Sequence, residues 1–209
     1  MKMNATACPT RATTIIANRA GTRAWVSLWN GSAVAELDLG KGKVTRRIEL
    51  WHSADPVAPG THPTTMLLNR SEDTLYVAMP NAATAQSDGV AAVDLKEGVP
   101  QRCYRPALDS NDEPGSASIA IALSNNEKHL YAAVASLNAV VVFETKPVDE
   151  TSDVAVMELP IGFVPTEWYP SALAFAGNDL LIASAKGDSS GPNNGNCAQA
   201  LIDSGSVPA

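Results

Sequence analysis

An all-β fold of repeated four-stranded sheets is predicted by three observations. One segment pattern is written three and a half times, its marker position falling at Trp25, Tyr76, Tyr131 and Leu181, at intervals of 51, 55 and 50 residues. Each copy opens with a short apolar run, too short for a helix and rich in small and branched side chains. Asn, Ser, Gly or Asp follows each run, residues that accept the backbone of tight reversals. β-type units with a period near fifty stack radially, so the expected architecture is a β-propeller of four-stranded antiparallel blades, about three and a half of them present.

The elements follow in order. Inner strands are read at 13–17 (TTIIA), 64–68 (TTMLL), 118–123 (SIAIAL) and 171–175 (SALAF), apolar enough to be buried on both faces. Polar reversals at 18–21, 69–73, 124–127 and 177–178 turn each of them into the second strand, which carries the marker residue. Third strands are expected at 33–37, 89–95 and 139–144, and weaker outer strands at 44–50, 101–105 and 154–159. The blades then run over 13–51, 63–106, 117–160 and, in part, 170–187, between an N-terminal tail (1–12) and a tail rich in Gly, Ser and Asn (188–209). The links 51–63, 106–116 and 161–170 are long and proline-rich, and loops of that kind carry function or pack over a face of the domain.

Composition fits this reading and removes several alternatives. Apolar residues make up 45% of the 209, with only three Phe, four Tyr and four Trp, which suits flat sheets packed through small side chains. A net charge of −7 with scattered signs disfavours nucleic acid and anionic membrane surfaces as partners. Lys41, Lys43, Arg46 and Arg47 cluster on one hairpin and read as a solvated strand edge. Cys8, Cys103 and Cys197 are too widely spaced for a zinc knuckle or haem motif. No segment has the length or apolarity to cross a bilayer, and no export signal is read, so as written the chain carries no address and is expected in the cytoplasm.

Two passages resemble the YVTN-type bacterial propeller repeat: "LLNRSEDTLYVAMPNA…GVAAVDL" and "IALSNNEKHLYAAVASLNAVVVFE". A third, "LPIGFVPTEWYPSALAFAGNDLLIASAKGDSSGPN", resembles the blade connection of propellers that precede a phosphoesterase domain of the alkaline-phosphatase superfamily. The resemblance covers residues 13–194. It implies a closed ring of about seven blades, a location in the periplasm or outside the cell for intact relatives, and chemistry that belongs to the neighbouring domain. The chain departs from the pattern in its turns, where Arg70-Ser71-Glu72-Asp73 and Asn125-Asn126-Glu127 replace Pro-Asp-Gly, and in its blade number.

Candidate functional residues lie in the links and beside the glycine-rich stretch that follows the last strand. His52, His62 and Asp112 are the His and carboxylate candidates for a propeller mouth, although His62-Pro63 also reads as a plain lead-in to an inner strand. Trp168 and Tyr169 are aromatics on a loop, suited either to recognition or to plugging the joint between two blades. Lys186 and Asn193 flank a glycine-rich stretch able to approach an anion. No GxSxG, HExxH or Walker pattern occurs, so no catalytic residue, metal ligand or cofactor is assigned. The expected function is a non-catalytic binding or scaffold module of a larger propeller protein, with a small molecule, a peptide or an adjacent domain as partner. The competing reading is a propeller hydrolase of lactonase type or the propeller arm of a phosphoesterase. An unclosed propeller also predicts self-association through its open blade edges, unless the fourth blade closes a four-bladed ring.

Overall fold

The structure is a computed structural model that describes residues 11–50, 60–80, 89–107, 117–145 and 156–187. Blade 1 is the antiparallel sheet β1 (Ala12–Ala17), β2 (Arg23–Leu28), β3 (Ala33–Asp38) and β4 (Lys43–Glu49), in that spatial order. Blade 2 repeats it with β5 (Met66–Leu68), β6 (Thr74–Met79), β7 (Gly89–Asp94) and β8 (Val99–Tyr104). Blade 3 begins with β9 (Ser118–Leu123), β10 (His129–Val134) and β11 (Ala139–Glu144), and blade 4 is the pair β14 (Pro170–Ala176) and β15 (Asp179–Ser184). The first strands lie side by side, β1 near β5, β5 near β9 and β9 near β14, as inner strands around a common axis must.

Alternation along the strands makes a two-sided core. In β6, Leu75, Val77 and Met79 turn toward blade 1 and pack with Trp25, Val34, Ile48 and Leu50. Tyr76 and Ala78 turn the other way, toward Ile121, Leu130, Ala132 and Phe143 of blade 3. All six residues of β6 are buried, as a sheet covered on both faces requires. The marker residues therefore share one direction: Trp25 meets blade 2, Tyr76 meets blade 3, and Tyr131 meets Phe175 of blade 4 at 5.3 Å between ring centroids. Burial, reinforced by the charges of nearby Glu127 and Asp73, raises the Tyr76 phenol above its ordinary range, so it stays neutral. The end blades differ from expectation. β1, and β14 beyond the buried Pro170, are not buried on both faces but run through exposed and half-buried positions, because among the described residues each has a neighbouring blade on one side only.

The turns between first and second strands form a ladder from blade to blade. Gly21, Glu72, Glu127 and Gly177 occupy the same left-handed position, with φ of 65, 59, 56 and 62°. Glutamate there is strained, and each one is held by its neighbour. The Arg19 N–H donates to Glu72 Oε1 at 2.7 Å and the Arg70 N–H to Glu127 Oε1 at 2.5 Å. Next along, the Asn125 side-chain amide donates to the Gly177 carbonyl. Asn69 ties its own turn through the N–H groups of Asp73 and Thr74, while side chains of Asn69 and Thr74 donate to the Asp73 carboxylate. Partial burial works against that carboxylate, but the donated bonds outweigh it and hold Asp73 below the usual range. If the Glu72 carboxylate offsets the strain, Glu72→Gly loses the latch alone and Glu72→Ala loses the latch while keeping the strain. Urea unfolding should then place the alanine variant about 1 kcal/mol below the glycine variant. Equal stabilities would show that the turn is not strained.

Two segments depart from the predicted layout. The outer strand expected at 154–159 is β12 (Val156–Glu158), but it leaves its own blade and adds in parallel to β8, as the fifth strand of blade 2. Glu158 secures it there, meeting Arg102 Nη1 at 2.5 Å and accepting the Arg105 N–H at 3.0 Å. The fourth strand of blade 3 is instead β13 (Gly162–Pro165), within the stretch read as a link, pairing antiparallel with β11. Arg46 is likewise no solvated edge charge. It donates to Glu36 Oε2 through Nε (3.0 Å) and Nη2 (2.6 Å) and reaches into blade 2, to the carbonyls of Leu95 (2.5 Å) and Lys96 (3.2 Å). Blade 4 packs on blade 3, and among the described residues no comparable packing joins it to blade 1; the tail 188–209, from which a four-bladed ring would draw its last strands, lies outside the described residues.

Candidate functional site

All first strands begin, and all second strands end, at one end of the sheets. The reversals there are built alike in blades 1 and 3: a single 3₁₀ turn (Trp29–Gly31, Ala135–Leu137) closes on a left-handed residue, Ser32 or Asn138. The lead-ins to the next inner strands are alike as well. His62 (φ 63°), Ala117 (φ 55°) and Tyr169 (φ 68°) precede Pro63, Ser118 and Pro170. Just beyond, the pairing slips by one residue, between Ala133 and Val134 in blade 3 and between Pro170 and Ala172 in blade 4. His62 and Tyr169 are thus equivalents in two blades, and a left-handed residue followed by a bulge re-aims a side chain toward the sheet end.

Trp168, Tyr169 and Lys186 are brought together. The Lys186 N–H donates to the Trp168 carbonyl (3.2 Å) and the Ala185 N–H to that of Tyr169 (2.9 Å), which sets the two segments side by side. Lys186 Nζ lies 4.7 Å from the Trp168 ring centroid and 5.3 Å from that of Tyr169. An ammonium held over two aromatic faces gains about 1 kcal/mol and is fixed in direction. Tyr169 is 38% exposed and Lys186 is also exposed, so the cluster is reachable from solvent. Its base is Asn138, whose Oδ1 accepts the Tyr169 N–H at 3.1 Å and whose carbonyl accepts the Thr166 N–H at 2.8 Å. Asn138 was not among the candidates; its signal is an Asn in the left-handed position after a 3₁₀ turn, where its side chain is left to bond elsewhere.

His62 stands apart from this cluster, in blade 2. Its Nδ1 is 2.7 Å from Thr61 Oγ1 and its ring meets Trp29 edge-on at 5.0 Å. That placement joins blade 1 to blade 2. His52, Asp112 and Asn193 lie outside the described residues. Among the described residues no three of His, Cys, Asp and Glu gather as metal ligands would, and no helix is long and apolar enough to cross a membrane.

No family model and no curated protein matches the chain. Solved structures do. A candidate 6-phosphogluconolactonase of Bacteroides uniformis is similar at 14% identity, with a TM-score of 0.61 over 85% of this chain and 48% of that one. The β-propeller domain of Cps50 (Swd1) from Myceliophteria thermophila gives 10% identity and a TM-score of 0.59 over 85% and 51%. A second candidate 6-phosphogluconolactonase, from Bacteroides fragilis, gives 16% and 0.53 over 83% and 42%. The chain thus spans about half the length of the solved structures it matches. Likeness at these identities concerns the fold alone, and with the sheet order and inter-blade cores it establishes that the chain has an all-β, propeller-type fold.

Proposed function

We propose that this chain is a non-catalytic binding module, one part of a propeller whose remaining blades come from outside these residues. Its binding surface is the sheet end that carries Trp168, Tyr169 and Lys186. The observation that carries this reading is the exposed cluster itself, an oriented cation on two aromatic rings, seated on Asn138 at a joint between blades. Such a cluster suits a ligand with one flat or apolar face and one anionic group: the rings take the face and the ammonium takes the charge. Assignment to the YVTN-type repeat, and to propellers that stand before a phosphoesterase, is part of the same reading and rests on the "LYVA", "LYAA" and "PTEWYP" passages.

Thermal-shift titration with phosphorylated sugars, sugar acids and acidic peptides tests it. A stabilising ligand should bind about tenfold more weakly to Trp168→Ala, the loss of one stacking face. Unchanged affinity in that variant would move the site elsewhere. The hydrolase alternative borrows its chemistry from the names of the two Bacteroides neighbours. Turnover of 6-phosphogluconolactone by the purified chain would replace the binding reading with it.

A further inference from the structure

We propose that the two open faces of the chain close on a second copy, head to tail, so that two chains complete one propeller ring. The inference rests on the reading of the chain as part of a propeller and names what supplies the other part.

Every internal joint has the same polarity. The marker residue and its inner-strand partner point forward, as in Trp25 with Ile16 and Tyr76 with Leu67. They are received by the rear face of the following blade, as in Leu75, Val77 and Met66, or Leu130, Ala132 and Ile121. Among the described residues one forward face and one rear face are left over. The forward face of blade 4 is Leu181 paired with Ala174, beside Ala183 paired with Ala172, all exposed and Leu181 at 54%. The rear face of blade 1 is Val26 paired with Ile15, together with Val44, and here Ile15 is 65% and Val44 63% exposed. Three of the four most exposed large apolar side chains among the described residues therefore lie on these two faces.

The two faces are complementary in kind, since each internal joint unites one of each. They do not meet within one chain, because among the described residues blades 1 and 4 are not packed together. Two copies related by a twofold along the ring axis unite both pairs at once and leave no face over. Length agrees: one chain covers 42–51% of the solved structures it matches, so two bring about the blade complement of one closed ring, within the ~4–8 blades propellers use.

The experiment uses the full 209-residue chain, Ile15→Asp and Leu181→Arg, sized by light scattering at tens of micromolar, with circular dichroism confirming folding. Wild type should be a dimer of twice 21.8 kDa. Either substitution places an unpaired charge in both joints and should weaken the dimer at least about tenfold. An equimolar mixture of the two variants should regain it. One joint then sets the introduced carboxylate against the introduced guanidinium, and the other is wild type on both sides. Dimers in each single variant, or no recovery on mixing, would overturn the head-to-tail ring. A wild-type monomer would overturn it too. If that monomer binds an apolar-surface dye, the open faces await another partner, such as further blades of a longer polypeptide. If it binds none, the partial-ring reading falls with the proposal.

Discussion

Replacing Gly89 by alanine is expected to lower the stability of the fold by roughly 3 kcal/mol, a drop in melting temperature of about 6–12 °C for a chain of this size. A Cβ at this position would lie 2.1 Å from the carbonyl oxygen of Tyr104 and 3.3 Å from Cα of Arg105. Both neighbours are backbone on the adjoining strand, so no side chain can swing aside. Relief requires opening the β7–β8 pairing where Val90 faces Tyr104. Tyr104 is fully buried, with its ring 5.4 Å from Phe143 and 6.2 Å from Tyr76. The displacement therefore reaches the core between blades 2 and 3, whose packing tolerates little change of volume. Gly21→Ala is the control. It sits at φ 65° with nothing within 4 Å of an added Cβ, and should lose only the left-handed preference of glycine, about 1 kcal/mol. Equal losses at the two sites in urea unfolding would refute the clash.

Arg46→Met should cost about 2 kcal/mol, and Arg47→Met, one residue away, less than about 1. Glu36 is only 7% exposed and its carboxylate accepts two bonds from Arg46; the other cation near it, Arg23, stands 3.5 Å away. Removal of Arg46 leaves a nearly buried charge with one weak partner, and also removes the bonds to Leu95 and Lys96 that join the first two blades. The Arg46 side chain is 30% exposed, which holds the expected loss below that of a fully buried pair. Arg47 pairs with Glu49 on the surface, both about two-fifths exposed, where an ion pair contributes little. A double-mutant cycle with Glu36→Gln separates the pair from the inter-blade bonds. A coupling energy near zero would mean that Arg46 acts only through blade 2.

These two arginines show where a linear reading is strong and where it stops. Strand periodicity is local, so the Trp25–Tyr76–Tyr131 register, the inner strands and their hairpins were all legible. Whether an edge cation is solvated or clamped depends on the next blade, about fifty residues away in sequence. The same limit hid β13, since "GFVP" lies among prolines and looks like a connector until β11 is beside it. It also misplaced β12, whose hydrophobicity is right for a strand but whose partner belongs to the preceding blade. Glu72 and Glu127 read as ordinary polar turn residues, because a left-handed glutamate is intelligible only with its neighbour's N–H in place. At the candidate site, Trp168 and Tyr169 were visible as residues of a link and Lys186 as a residue beside a glycine-rich stretch. Their joining into one cluster required the backbone pairing of two segments and the αL turn at Tyr169, neither of which leaves a pattern in composition.

The crossing of β12 onto β8 bears on how the chain is made. During synthesis the N-terminal blades emerge first, yet the edge of blade 2 acquires its last strand only when Glu158, 56 residues beyond Arg102, has left the ribosome. Until then the edge is unpaired and open to wrong partners. Blade 2 is thus completed by its successor, and a chain cut neatly between the second and third repeats would lack the strand that seals the second. For blade 2 the unit of folding is longer than the unit of repetition, whereas blade 1 is complete within its own four strands.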